Sequence, residues 1–139
     1  GLSLRHGRAE FARAVLEGVA FGIRARVEAL AAAGSPATEL RVSGGDSRLT
    51  TWNQIKADVL GIPVVRIPGD ATATGTTLLA GVGIGIYRDG SAAISAGQRP
   101  DRAIEPDPAT HARYDELYAV YRELIRNPAI HAGSPGSVH

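Results

Sequence analysis

No cysteine occurs in the 139-residue chain. That excludes a disulfide framework, thiolate metal sites and a cysteine nucleophile, and it suits a cytoplasmic protein. Lysine is nearly absent: Lys56 stands alone, and the other basic residues are scattered arginines. Fifteen Lys+Arg against 14 Asp+Glu leave a net charge of +1. Neither the balance nor the distribution points to nucleic acid or a membrane surface as a partner. No apolar run approaches the roughly 18 residues that span a bilayer. Nor does a charged segment followed by an apolar one open the chain as a secretory signal would. Methionine is missing too, and Gly1 stands directly before a helical pattern. The expectation is a piece cut from a longer protein.

What is present is ordinary globular material, 44% hydrophobic and 21% charged, enough for one domain with a real core. From Arg8 to Ala33, Phe11, Val15, Val19, Ile23, Val27 and Leu30 recur every three or four residues, the spacing of a helix. Gly18 and Gly22 inside it predict close approach of another backbone. Glu39–Ser43 reads as a short strand ending at Gly44 and Gly45. Thr51 and Gln54 fit a capping box for a helix carrying Trp52, Ile55, Val59 and Leu60. Gly61 stops that helix and Pro63 bars its extension. Pro63–Pro68 is a second strand, placed near a sheet edge by its prolines.

Ala71–Gly85, dense in Gly, Ala and Thr, predicts a buried helix that neighbours pack against tightly. Arg88–Pro106 reads as loop. Asp107 and Pro108 form a good cap and first-turn pair. The final helix they start carries Tyr114, Leu117, Tyr118, Tyr121, Leu124 and Ile125 on one stripe, a face open to a neighbour such as a second copy. Residues 127–139 are a Gly/Pro/Ser tail, expected to be flexible. Two strands are too few for a complete sheet. The class is therefore α/β, incomplete, with strands expected upstream of Gly1.

The informative segment is Val42 to Gly61: a strand, a glycine turn, then a helix. Gly44 and Gly45 let a ligand approach bare backbone, and a helix N-terminus favours anions nearby. On local physics an ordinary turn explains the segment equally well. Gly81-Val82-Gly83-Ile84-Gly85 is no dinucleotide fingerprint, because it ends a helix instead of following a strand. The four histidines show no metal-ligand spacing, and no metal site is assigned. Arg5 and His6 precede the first helix and are a minor candidate for substrate contact.

The segment also resembles the glycine-rich adenine-nucleotide stretch of the FGGY carbohydrate kinases, xylulokinase-like members above all. The matching residues are Gly44, Gly45, Trp52, Gln54, Ala57-Asp58 and Gly61-Ile62-Pro63-Val64. Upstream, Arg8-Ala9-Glu10 and Arg13-Ala14-Val15-Leu16-Glu17-Gly18 resemble one family helix; downstream, Asp70 to Ala80 resembles another. The resemblance runs from about Gly1 to Tyr87. It implies a ribonuclease-H-like domain of the actin-like ATPase superfamily, here residues 1–126, the C-terminal half of a two-domain kinase. It further implies ATP or ADP as cofactor, Mg²⁺ held mostly by ligands outside this chain, and partnership with an N-terminal domain that binds a sugar or polyol. Gly44, Gly45, Asp46 and Leu49 are the candidate cofactor-binding residues. Asp46 stands where a third glycine is usual and Leu49 where Ser or Asn is common, so nucleotide preference is open to change.

No catalytic residue is assigned. The family's base aspartate belongs to the other domain, and Asp58, Asp70, Asp89 and Asp115 read as structural, Asp58 as a capping or packing residue of its helix. The implied reaction moves the γ-phosphoryl of ATP to a hydroxyl of a pentulose or related polyol, with this chain inactive alone. A non-catalytic nucleotide-binding module and a purely structural α/β remnant are the alternatives.

Overall fold

The computed structural model describes residues 6–97 and 101–127. Five helices and two strands follow in the order α1 (Arg8–Ala32), β1 (Leu40–Val42), α2 (Thr50–Leu60), β2 (Val64–Arg66), α3 (Ala71–Gly83), α4 (Gly90–Gly97) and α5 (Pro108–Arg126). A single 3₁₀ turn, Asp46–Arg48, precedes α2. The expected flexible tail lies, apart from Asn127, outside the described residues.

β1 and β2 pair in parallel, Leu40 opposite Val64 and Val42 opposite Arg66, with α2 as the crossover between them. β2 lies at the edge of the two-stranded sheet, as expected, but that edge is not bare. On its other side Val64 and Ile104 exchange two backbone hydrogen bonds, and Asp101 N donates to the Arg66 carbonyl. Pro63 and Pro68 fall just outside the three paired residues, so the N–H each lacks is not required there. The 88–106 stretch is likewise not all loop: it contains α4 and this bridge.

The core is a three-helix cluster in which Ala20 and Phe21 of α1 meet Trp52, Ile55 and Val59 of α2 and Tyr114 and Tyr118 of α5. The Phe21 ring lies 5.3–6.0 Å from those of Tyr114, Tyr118 and Tyr121. The tyrosines of the stripe thus pack within the chain, whereas its Leu117, Leu124 and Ile125 are exposed. Arg24 ties the three helices together, donating to the Val59 carbonyl, pairing with Asp115 at 2.6 Å and stacking 4.3 Å above the Tyr118 ring.

The helix over Arg8–Ala32 forms as expected, and two other helix expectations are corrected. On α1 the buried face is Leu16, Ala20, Phe21 and Ala25, whereas Phe11, Val15, Val19 and Leu30 of the apolar stripe are exposed. Both faces carry apolar residues at helical spacing, and periodicity does not say which one this chain covers. Gly18 and Gly22 meet no other backbone: a Cβ at Gly18 finds nothing within 4 Å, and one at Gly22 finds only side chains. α3 is not a buried helix either, with Leu79 72% exposed and Leu78 its buried large residue. One of its small residues does admit a close neighbour, Tyr87 against Gly81, and Leu78 of α3 packs closely against Gly97 of α4.

The capping box at Thr51 and Gln54 does not form. Leu49 is the N-cap of α2 without a side-chain bond, and Gln54 Nε2 instead donates to Asp58 Oδ1 and the Glu105 carbonyl. The same Asp58 oxygen accepts from Asp107 N at 2.8 Å, while Asp107 caps α5 through Thr110 N as expected. Asp58, only 6% exposed, therefore secures the start of a neighbouring helix more than its own. Asp58→Ala removes the acceptor of the part-buried Asp107 N–H and one of the two acceptors of the Gln54 amide, at about 1 kcal/mol. Urea denaturation should show this loss, and Asp58→Asn, which keeps an acceptor oxygen, should lose less than half as much.

Candidate nucleotide-binding site

Each parallel strand ends in a glycine that only a residue without a Cβ adopts easily. After β1 comes Gly44 at φ +88°, and after β2 comes Gly69 at φ +92°. Both turns lie at the C-terminal ends of the strands, where parallel α/β sheets place ligands. Between them is a cavity of about 450 Å³ lined by Ser43, Gly44, Gly45, Arg48, Gly69 and Asp70 among others.

Local bonds hold the first turn. Ser47 Oγ donates to the Gly44 carbonyl at 2.6 Å, and the buried Asn53 amide donates to the Ser47 carbonyl at 2.6 Å. Gly45 has ordinary helical dihedrals, and a Cβ built on it meets nothing within 4 Å. Its backbone is bare towards the cavity. The second turn leads into α3, whose first N–H groups are already occupied: Asp70 Oδ1 accepts from Thr72 N and Ala73 N.

Of the four expected contact residues, the structure brings Gly44 and Gly45 to the cavity wall. Asp46 turns back onto α2, where its Oδ2 accepts from Trp52 Nε1 at 3.2 Å and lies 3.8 Å from Lys56 Nζ. Burial pushes the Lys56 ammonium below its usual range, and the Asp46 carboxylate opposes that shift. Leu49 is exposed at the N-cap of α2, away from the cavity lining. Sequence reasoning missed Arg48, Gly69 and Thr72 as lining residues; the glycine after β2 was the one signal that could have found them. Arg48 has no acidic partner among the described residues and supplies positive charge at the cavity.

Arg5 lies outside the described residues. His6 lines a separate polar groove between α1 and α5, with Glu10, Arg13, Glu17 and Tyr114. An apolar hollow of about 390 Å³ separates the sheet from α3 and α4. The other acidic candidates are structural, as expected. Asp89 accepts from Ala92 N at the start of α4, and Asp115 pairs with Arg24.

Backbone, Arg48 and space thus fit an anionic ligand such as a nucleotide. They do not fit a resident Mg²⁺. Asp46 and Asp70 are both engaged, and no three His, Cys, Asp or Glu residues converge among the described residues. No described helix is long and apolar enough to cross a membrane.

Residues 1–84 match the model of the C-terminal domain of the FGGY family of carbohydrate kinases. The chain belongs to that family. Xylulose kinase from Staphylococcus epidermidis is 27% identical over 127 residues, which are 91% of this chain and 26% of that protein. Glycerol kinase from Gloeobacter violaceus is 45% identical over 108 residues, 76% of this chain and 21% of that protein. The crystal structure of xylulose kinase from Rhodospirillum rubrum superposes with a TM-score of 0.81 at 34% identity, covering 94% of this chain and 27% of that one. The fold is that of the FGGY sugar kinases, in the actin-like ATPase class, and this FGGY chain spans about a quarter of its relatives' length.

Proposed function

We propose that this FGGY chain is the nucleotide-binding part of an ATP-dependent carbohydrate kinase. The observation that carries the reading is the open cavity between the two glycine turns at the ends of β1 and β2. Gly44 and Gly45 bring bare backbone against the nucleotide, and Arg48 offsets its negative charge. Asp46 is turned aside by Trp52 and Lys56, and Leu49 stands off the cavity at the start of α2. Residues 1–126 form the binding unit, and the cytoplasm is its compartment.

The rest of the kinase supplies the sugar site and the base. In phosphoryl transfer most catalysis is positioning and charge stabilisation, and this chain contributes the positioning of the nucleotide. Its carboxylates at the cavity are engaged in structural bonds, which supports inactivity of the chain alone. The acceptor is a pentulose such as xylulose or a related polyol. The xylulose and glycerol kinases among the relatives support that class.

Calorimetric titration of the chain with ADP tests the binding half of the proposal, and absence of any heat of binding would sink it. Incubating the full kinase with ATP and a panel of ketoses and polyols tests the reaction. ADP binding without transfer to any of them would favour a non-catalytic nucleotide-binding module.

A further inference from the structure

Asp46 puts a carboxylate in the very turn that, on the proposed function, receives a polyanion. A negative charge left to swing between α2 and the cavity would weaken such binding. What faces it from α2 is the chain's one lysine. Lys56 is 4% exposed, buried as deeply as the core, although a Met or Leu there would avoid the desolvation of a charge. Its ammonium has two polar partners, both tied to the glycine turn. One is Asp46 itself, at 3.8 Å. The other is Asn53 Oδ1 at 3.3 Å, and the amide of Asn53 holds the Ser47 carbonyl. The ammonium also lies 4.6 Å over the Trp52 ring, whose N–H binds the same Asp46 oxygen.

We infer that Lys56 is a positioning residue for nucleotide binding: with Trp52 it holds the Asp46 carboxylate against α2, so that the turn can accept a phosphate chain. This rests on the nucleotide-binding reading. Lys56 touches no ligand in this scheme. It acts through Asp46, and therefore matters only while residue 46 is charged.

The test is a double-mutant cycle on the 139-residue chain, with Lys56→Met, Asp46→Asn and the double variant titrated calorimetrically with ADP and with adenosine. Lys56→Met should weaken ADP by about five- to tenfold, an effect of one misplaced charge in a partly solvated site, and leave adenosine within about twofold. Adding Asp46→Asn to Lys56→Met should restore the lost ADP affinity, because the neutral amide has no charge to carry into the cavity. The same loss in both backgrounds would mean that Lys56 attracts phosphate directly, and would overturn the positioning role. Equal losses for ADP and adenosine, with a lowered melting temperature, would make Lys56 merely structural and overturn it as well. A wild-type chain that binds no ADP sinks the function and this inference together, whereas wild-type binding without coupling sinks the inference alone.

Discussion

Gly45→Val should cost the chain about 100-fold in ADP affinity while moving its melting temperature by no more than about 2 °C. The separation follows from the position. Gly45 has φ −65° and ψ −43°, dihedrals any residue adopts, so the substitution forces no backbone strain. A Cβ there meets no atom within 4 Å, and replacing glycine also narrows the unfolded ensemble, which offsets the cost of a β-branched side chain. Gly45 lines the cavity, and on the proposed function the valine competes with the ligand for that space. A nucleotide lying on the Gly44–Gly45 backbone meets two added methyl groups and withdraws by a distance that forfeits close contact. Gly44→Ala should behave differently. At φ +88° it strains the backbone and lowers stability by about 1 kcal/mol whether or not a ligand is present. Calorimetry with thermal melts on both variants checks the pair of outcomes. A Gly45→Val chain that binds ADP as well as the wild type would remove the glycine turn from the site.

What was legible in the sequence was local chemistry. The Gly61 stop, the Asp107–Pro108 start of α5 and the turn after β1 each depend on a few adjacent residues, and each stands where it was expected. What was not legible depended on partners far along the chain. Gln54 satisfied the pattern of a capping box, in which its side-chain oxygen accepts from the N-cap N–H, yet its amide group is drawn to Asp58 on its own helix and to the Glu105 carbonyl 51 residues away, to both of which its Nε2 donates. Helical spacing on α1 was real, but the face used within this chain is the one that α2 and α5 cover. β2 read as an edge because proline marks edges, and it is one, but the backbone bonds that Ile104 and Asp101 make on its second side come from the segment after α4 and left no local signal. α3 read as buried because small residues suit tight packing, and composition does not report whether a neighbour is there. In the site, two adjacent glycines were visible, whereas Gly69 joins them only through the parallel register of β1 and β2. Asp46 drew notice as a departure from the family pattern. Its restraint by Trp52 and Lys56, six and ten positions on, needs the turn and α2 to be folded first.

Gly61→Ala should destabilise the chain by about 2–4 kcal/mol, a large part of the roughly 5–15 kcal/mol that holds a domain folded. Two independent costs add. At φ +68° the residue caps α2 in the left-handed region, where a Cβ costs about 1 kcal/mol. That Cβ would also stand 2.6 Å from Cε1 and Nε2 of the His111 ring, and overpacking of this kind costs about 1–3 kcal/mol. The ring cannot turn aside freely. Its Nδ1 is hydrogen-bonded to the Asp58 carbonyl at 2.8 Å, and α5 is fixed beside it by the Asp58–Asp107 bond. Either the His111 bond breaks or α5 moves off α2. Chemical denaturation of the single variant, of His111→Ala and of the double variant separates the two costs. The double variant should recover the steric share relative to His111→Ala and keep the backbone share of about 1 kcal/mol. A single-variant loss no greater than about 1 kcal/mol would show that His111 yields without cost, leaving only the backbone term. Gly61 belongs to the Gly61-Ile62-Pro63-Val64 stretch that carries the family resemblance. Its requirement is structural: a left-handed cap with a histidine ring against it, at the opposite end of α2 from the Gly44–Gly45 turn.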